Sequence, residues 1–211
     1  MDPKLFDHTI LNPNATLEAV TQICTEALKY GFMSVCVNGF YTAFVKEKLK
    51  DSSVKACSVI GFPLGQMNTA AKYEETKLAV IDGADEIDMV INVGALKDKN
   101  YHFVREEIKS VKEACGNALL KVIIETCLLT DEEKRIACRL VLEAGADFVK
   151  TSTGFSSGGA TADDIALMHE EIGGRLGIKA SGGIRTKKDA EKMVKAGATR
   201  LGTSRTVEIV S

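Results

Sequence analysis

Short apolar segments of strand character alternate with amphipathic stretches along this chain, and one three-residue joint recurs between them. Gly83-Ala84-Asp85, Gly145-Ala146-Asp147 and Gly197-Ala198-Thr199 each follow a helical pattern and precede an apolar run. Glycine suits the left-handed position just past a helix end, so the joint marks a repeated helix-to-strand turn. Strands are predicted at Leu5–Ile10, Met33–Val37, Val54–Ile60, Glu86–Asn92, Leu119–Glu125, Asp147–Lys150, Ile178–Ala180 and Thr199–Gly202. Between them, Val104, Ile108, Val111 and Cys115, or Ala137, Leu140, Val141 and Ala144, have the spacing of one helical face. Thr130 with Glu133 and Thr161 with Asp164 read as capping boxes. About eight βα units fit the length, which predicts an α/β fold: a (β/α)8 TIM barrel. A single domain spanning residues 1–211 is expected. An open doubly wound sheet is the alternative; the count near eight and the lack of a dinucleotide fingerprint favour the barrel.

Lysine plus arginine (27) nearly balances aspartate plus glutamate (29), so no global field is available to recruit nucleic acid or an anionic membrane. Any anion site must be local. No apolar run approaches membrane-spanning length, and Met1-Asp2-Pro3-Lys4 leads straight into a strand-like stretch, so no secretory segment is expected. Six scattered cysteines without zinc-site pairing read as reduced thiols and predict a cytoplasmic protein. The three histidines, His8, His102 and His169, lack ligand spacing, and neither a metal nor another cofactor is expected.

Lys150 and Lys179 each end a short apolar segment and are followed by glycine-bearing loops, Thr151-Ser152-Thr153-Gly154 and Ser181-Gly182-Gly183. An ammonium there is costly unless it is paired or loses its proton, and a neutral lysine is a carbonyl nucleophile. A second cation nearby is one way to favour the neutral form, so the two lysines suggest Schiff-base chemistry. Catalytic groups of a barrel come from the C-terminal ends of its strands. On the fourth strand Ile87, Met89 and Ile91 share one face and leave Asp88 inward; on the fifth, Leu120, Val122 and Ile124 leave Lys121 and Glu125 inward. Taken singly, Asp88 and Lys121 are also what an interior ion pair would supply, whereas two strand-end lysines exceed what one carboxylate neutralises.

Gly154, Gly182, Gly183 and Gly202, with the Ser204 hydroxyl, stand at the ends of the last three strands, where turns of this kind bind phosphate. Arg185 or Arg205 could add charge. Gly61-Phe62-Pro63-Leu64-Gly65 reads as a rigid turn and Cys36 as a buried structural thiol. His8 reads as a packed or hydrogen-bonded side chain, with Asp7 and Thr9 as orienting groups behind the site.

Together, Gly61-Phe62-Pro63-Leu64-Gly65, Asp85-Glu86-Ile87-Asp88-Met89-Val90, Leu120-Lys121-Val122-Ile123-Ile124-Glu125-Thr126, Lys150-Thr151-Ser152-Thr153-Gly154-Phe155 and Lys179-Ala180-Ser181-Gly182-Gly183-Ile184-Arg185 closely resemble the deoxyribose-phosphate aldolase family, in order, from about Asp7 to Ser204. The resemblance implies a metal-independent class I aldolase that reversibly cleaves 2-deoxy-D-ribose 5-phosphate to D-glyceraldehyde 3-phosphate and acetaldehyde. It implies Lys150 as Schiff-base lysine, Lys179 as its perturbing neighbour, Asp88 as the acid of a proton relay and Lys121 as a further member of the cluster. Gly154, Gly182, Gly183, Gly202 and Ser204 match the family's phosphate-binding turns. Homo-oligomerisation and a role in deoxynucleoside salvage carry over on the same footing. Phe155 stands where some members carry lysine, and Arg205 where a small residue is common. The chain's last residues, Val210-Ser211, lack the tyrosine that ends longer members. Rival readings are another phosphosugar barrel enzyme, transaldolase-like or an isomerase, and a non-catalytic barrel that binds a phosphometabolite.

Overall fold

The parallel strands β1 (Phe6–Thr9), β2 (Ser34–Val37), β3 (Lys55–Ile60), β4 (Glu86–Val90), β5 (Leu119–Ile123), β6 (Phe148–Lys150), β7 (Gly177–Ser181) and β8 (Arg200–Thr203) pair in chain order, and β8 returns to β1. The computed structural model describes residues 1–211. Closure decides for the barrel over the open sheet. Around it lie α1 (Leu17–Tyr30), α2 (Thr42–Leu49), α3 (Thr69–Ile81), α4 (Val93–Lys97), α5 (Tyr101–Cys115), α6 (Asp131–Glu143), α7 (Ala162–Ile172), α8 (Lys187–Ala196) and α9 (Thr206–Val210).

Helix faces pack as their spacing requires: α5 buries Val104, Ile108, Val111 and Cys115, and α6 buries Ala137, Leu140 and Val141. The recurring joint glycines Gly83, Gly145 and Gly197 have φ of 95°, 77° and 119°, the left-handed region that the sequence pattern predicts.

Three local expectations are corrected. β4 ends at Val90 instead of Asn92, because the Asn92 side chain accepts from the Ala95 N–H at 3.0 Å and caps α4. β5 ends at Ile123, and Glu125, beyond the strand, takes a left-handed φ of 55° with its carboxylate accepting from the Thr153 N–H at 3.2 Å. Thr130 and Glu133 form a reciprocal capping box, but at Thr161 only half of one exists: the Asp164 carboxylate is drawn instead to Lys134 at 2.6 Å. A reciprocal box at Thr186 and Asp189, unread in the sequence, starts α8.

Inside the barrel, large side chains fit because a neighbouring strand supplies none. Phe148 stands in register with Gly177, where an added Cβ would lie 2.2 Å from the ring. The Arg200 guanidinium carbon sits 5.3 Å from the centre of the same ring. Outside the barrel, Lys72 of α3 and Glu107 of α5 form a fully buried ion pair at 2.8 Å. Lys72 also donates to the Val90 carbonyl at 2.9 Å, which ties both helices to the end of β4. Burial pulls the Lys72 amine below the ordinary lysine range, against the pull of Glu107.

Removing one partner of such a pair strands the other's charge, so Lys72→Met is expected to cost about 3–5 kcal/mol in urea unfolding. The double change Lys72→Met with Glu107→Leu is expected to recover most of that loss. Equal destabilisation by the single and double variants would contradict this account.

Candidate active site

Strand register brings the sequence-predicted residues together in neighbouring pairs. Asp88 lies opposite Lys121 on β4 and β5, and Lys150 opposite Lys179 on β6 and β7. All four side chains converge within the barrel. Asp88 Oδ1 accepts from Lys121 at 2.8 Å, and Oδ2 accepts from both Lys150 and Lys179 at 2.7 Å. Lys150 and Lys179 therefore share one oxygen atom, the proximity that sequence could only suggest.

The cluster continues below Asp88 through residues whose part the sequence reading missed or understated. Asp7, read as an orienting group, belongs to the cluster itself: its carboxylate meets Lys179 at 2.5 Å and Arg200 at 2.7 Å. Glu86 reaches Lys121 at 2.6 Å and Arg200 at 3.1 Å. The missing signal was the period of two, since Glu86 is in phase with Asp88, Arg200 with Gly202 and Asp7 with Thr9. Gly202 also has a steric role, because an added Cβ would lie 3.0 Å from Lys179 Cε.

Burial opposes ionisation of Asp88, but Lys121, Lys150 and Lys179 outweigh it and hold the carboxyl well below the usual range. Asp7 is depressed in the same way, burial being overcome by Lys179, Lys121 and Arg200. Burial likewise works against the charge on Lys179, yet Asp7 and Asp88 prevail and keep it protonated well above the ordinary lysine range. Lys121 is raised too, held by Asp88, Cys57, Glu86 and Asp7 against the cost of burial. Lys121, Lys150, Lys179 and Arg200 face Asp7, Glu86 and Asp88, so the cluster holds one basic group in excess.

Of the three lysines, Lys150 alone lines the cavity at the C-terminal rim, which has a volume of about 220 Å³. Gly154, Gly182, Gly183, Gly202 and Ser204 line that cavity too, with Arg185 and Arg205 at its edge. Arg205 pairs with Glu208 at 2.8 Å. Glu125 stands apart from the lysines: its carboxylate accepts from the Thr153 hydroxyl at 2.5 Å and fixes the loop that follows Lys150.

Cys36 is buried, as expected of a structural thiol, beside Leu11, Cys57 and Val59. Cys36, Cys57 and Asp88 place potential metal-ligand atoms within 4.8 Å of one another, a grouping hidden in the sequence by its spread over three strands. Ammonium groups already engage both Asp88 oxygens, so an added cation would meet like charge there. His8 is hydrogen-bonded, with Nε2 2.7 Å from Glu26 and Nδ1 3.0 Å from the Thr206 hydroxyl, and faces the helices instead of the cluster.

The DeoC/LacD family aldolase model matches residues 3–204. The deoxyribose-phosphate aldolase of Bacillus cytotoxicus is 58% identical over 208 residues, covering 98% of this chain and 93% of the relative. That of Clostridium botulinum is 57% identical, with 98% of each chain covered. The tetrameric deoxyribose phosphate aldolase structure from Aeropyrum pernix superposes with a TM-score of 0.92 at 36% identity, covering 99% of this chain and 88% of that one. A match of this extent, over a barrel with this cluster at its centre, means that the chain belongs to the DeoC/LacD family of aldolases.

Proposed function

We propose that this chain, as one domain, is a class I aldolase that reversibly cleaves 2-deoxy-D-ribose 5-phosphate to D-glyceraldehyde 3-phosphate and acetaldehyde through an imine on Lys150. One observation carries the assignment of the nucleophile: in a cluster with one basic group in excess, Lys150 has a single carboxylate partner and is the lysine that opens to the cavity. Lys121 and Lys179 are each held by more than one carboxylate.

Neutral Lys150 attacks the C1 aldehyde of the open-chain sugar, and the carbinolamine loses water to give a protonated imine. The imine nitrogen accepts the electron pair of the C2–C3 bond as it breaks, while the C3 hydroxyl gives up its proton and becomes the aldehyde of D-glyceraldehyde 3-phosphate. Protonation of the remaining enamine at C2 and hydrolysis release acetaldehyde. A carboxylate as depressed as Asp88 is a weak base alone. Its part is to pass a proton between the hydroxyl, a water and the neighbouring Lys179 ammonium. Lys121 keeps Asp88 in place from the other oxygen. Backbone N–H groups around Gly154, Gly182, Gly183 and Gly202, with the Ser204 hydroxyl and Arg205, receive the phosphate. No step calls for a metal, because the imine nitrogen is the electron sink. No helix here is long and apolar enough to cross a membrane. A cytoplasmic site, a deoxynucleoside salvage role and homo-oligomeric assembly, as in the tetrameric relative, complete the proposal.

Borohydride reduction in the presence of acetaldehyde, followed by peptide mass spectrometry, is expected to leave one N-ethyl group, on Lys150. Lys150→Arg keeps the charge but cannot form the imine, and is expected to lose both adduct and turnover while its circular dichroism is unchanged. Adducts spread over surface lysines would refute the assignment. For Lys179→Leu the sign follows from the cluster: removing a fixed positive charge and freeing an Asp88 oxygen both favour the ammonium form of Lys150. The rise of kcat/KM with pH is therefore expected to move to higher pH. An unmoved profile in a folded variant would show that the two lysines are uncoupled.

A further inference from the structure

Arg200 on β8 and Glu86 on β4 line no part of the rim cavity, yet both are charged and buried, 6% and 4% exposed. Each stands two residues before a member of the site, Glu86 before Asp88 and Arg200 before Gly202, a rise of about 7 Å along a strand. They form a lower tier of the cluster, toward the N-terminal ends of the strands. Their contacts run upward without a break. Arg200 Nη1 donates to Asp7 at 2.7 Å and to Glu86 at 3.1 Å. Asp7 continues to Lys179 at 2.5 Å, and Glu86 to Lys121 at 2.6 Å. Lys121 then meets one oxygen of Asp88, while Lys179 shares the other with Lys150. Two chains of ion pairs thus link Arg200 to Lys150 and join at Asp88.

Other groups near this column are few. The Cys57 thiol is 3.3 Å from Asp88 Oδ1, and Cys36 stands in register beside it. Below Glu86, Asp85 is tied to Lys46 at 2.7 Å, and Lys55 is exposed. The face of Arg200 packs on the uncharged Phe148 ring. Within a low-dielectric interior, unit charges act on one another over several ångströms with little screening. A change of charge in the lower tier is therefore felt at Lys150 without any movement of the chain.

We infer that Arg200 and Glu86 are positioning residues for the nucleophile: through Asp7, Lys179, Lys121 and Asp88, their opposite charges set the pH at which Lys150 becomes a free amine. The inference rests on the aldolase reading above, in which Lys150 forms the imine. Arginine keeps its proton throughout the working range, and Lys121 and Lys179 are each held by more than one carboxylate. Lys150, with one carboxylate partner and an opening to the cavity, is where the cluster releases a proton. Glu86→Gln keeps the shape and an acceptor oxygen but leaves four basic groups facing two acidic ones, so Lys150 gives up its proton more readily. Arg200→Met leaves three facing three, and Lys150 keeps its proton to higher pH. The double variant, three against two, restores an excess of one.

The test is the pH dependence of kcat/KM for cleavage of 2-deoxy-D-ribose 5-phosphate by the full-length protein, whose acid limb reports groups of the free enzyme. The substrate phosphate titrates alike with every variant, so differences between limbs belong to the protein. The limb is expected to move to lower pH in Glu86→Gln and to higher pH in Arg200→Met. In the double variant it is expected to return close to the wild-type position, and in Arg200→Lys, which keeps the charge, to stay there. A merely structural role would lower activity by the same factor at every pH and give no shifts of opposite sign. Should circular dichroism show Arg200→Met unfolded, Glu86→Gln and the double variant decide, by displacement in the first and its reversal in the second. An unmoved limb in Glu86→Gln, or a double variant no nearer to wild type, would overturn the inference; the borohydride adduct on wild-type Lys150 would leave the aldolase reading standing. Absence of that adduct would overturn the aldolase reading, and this inference with it.

Discussion

The carboxylate of Asp88 is what allows this barrel to be charged inside. Three lysine side chains meet its two oxygens, all within a shell of apolar strands and helices. A buried ammonium without a partner is far more costly than any packing gain that its stem could return. Asp7 and Glu86 share the load, but each faces Arg200 as well. The balance therefore leaves one basic group in excess. Of the three lysines, the one with a single carboxylate partner is Lys150, which is also the one that lines the cavity.

Parallel register produces this arrangement with little help from loops. Direct neighbours across β4 and β5, and across β6 and β7, contribute all four of the central groups. Closure of β8 onto β1 then brings Asp7, almost at the start of the chain, against Lys179 and Arg200 near its end. The contacts that hold the site are thus the same contacts that close the barrel. The loops add what strands cannot: glycine turns on one side of the rim, and an apolar wall on the other.

The barrel and its principal lysines were legible in the sequence because each rests on a local pattern. Joint glycines mark helix ends, and an inward residue is distinguished by the apolar residues on either side of it. Asp88 and Lys121 could be placed in this way. Glu86 could not be linked to Lys121 nor Arg200 to Asp7, since those pairings depend on strand stagger and closure, which no local pattern records. Glu125 was misread for a related reason. Its phase was read along β5, but the strand had already ended and the residue takes a left-handed φ, so the period of two no longer governs it. The Lys72–Glu107 pair, between helices far apart in the chain, left no trace at either position.

The two interior glycines give the barrel a particular relation to inherited change. Gly177 gives room to the Phe148 ring, and Gly202 to the Lys179 stem. At Gly177 an added Cβ would run into the Phe148 ring, so a single replacement is a closed route and a different interior needs paired changes, the ring shrinking before or together with the growth of the glycine. At Gly202 the added Cβ would stand 3.0 Å from Lys179 Cε, and the lysine stem must give by a small shift. That shift falls on a lysine of the central cluster, so a change of shape at a position without a side chain displaces a buried charge.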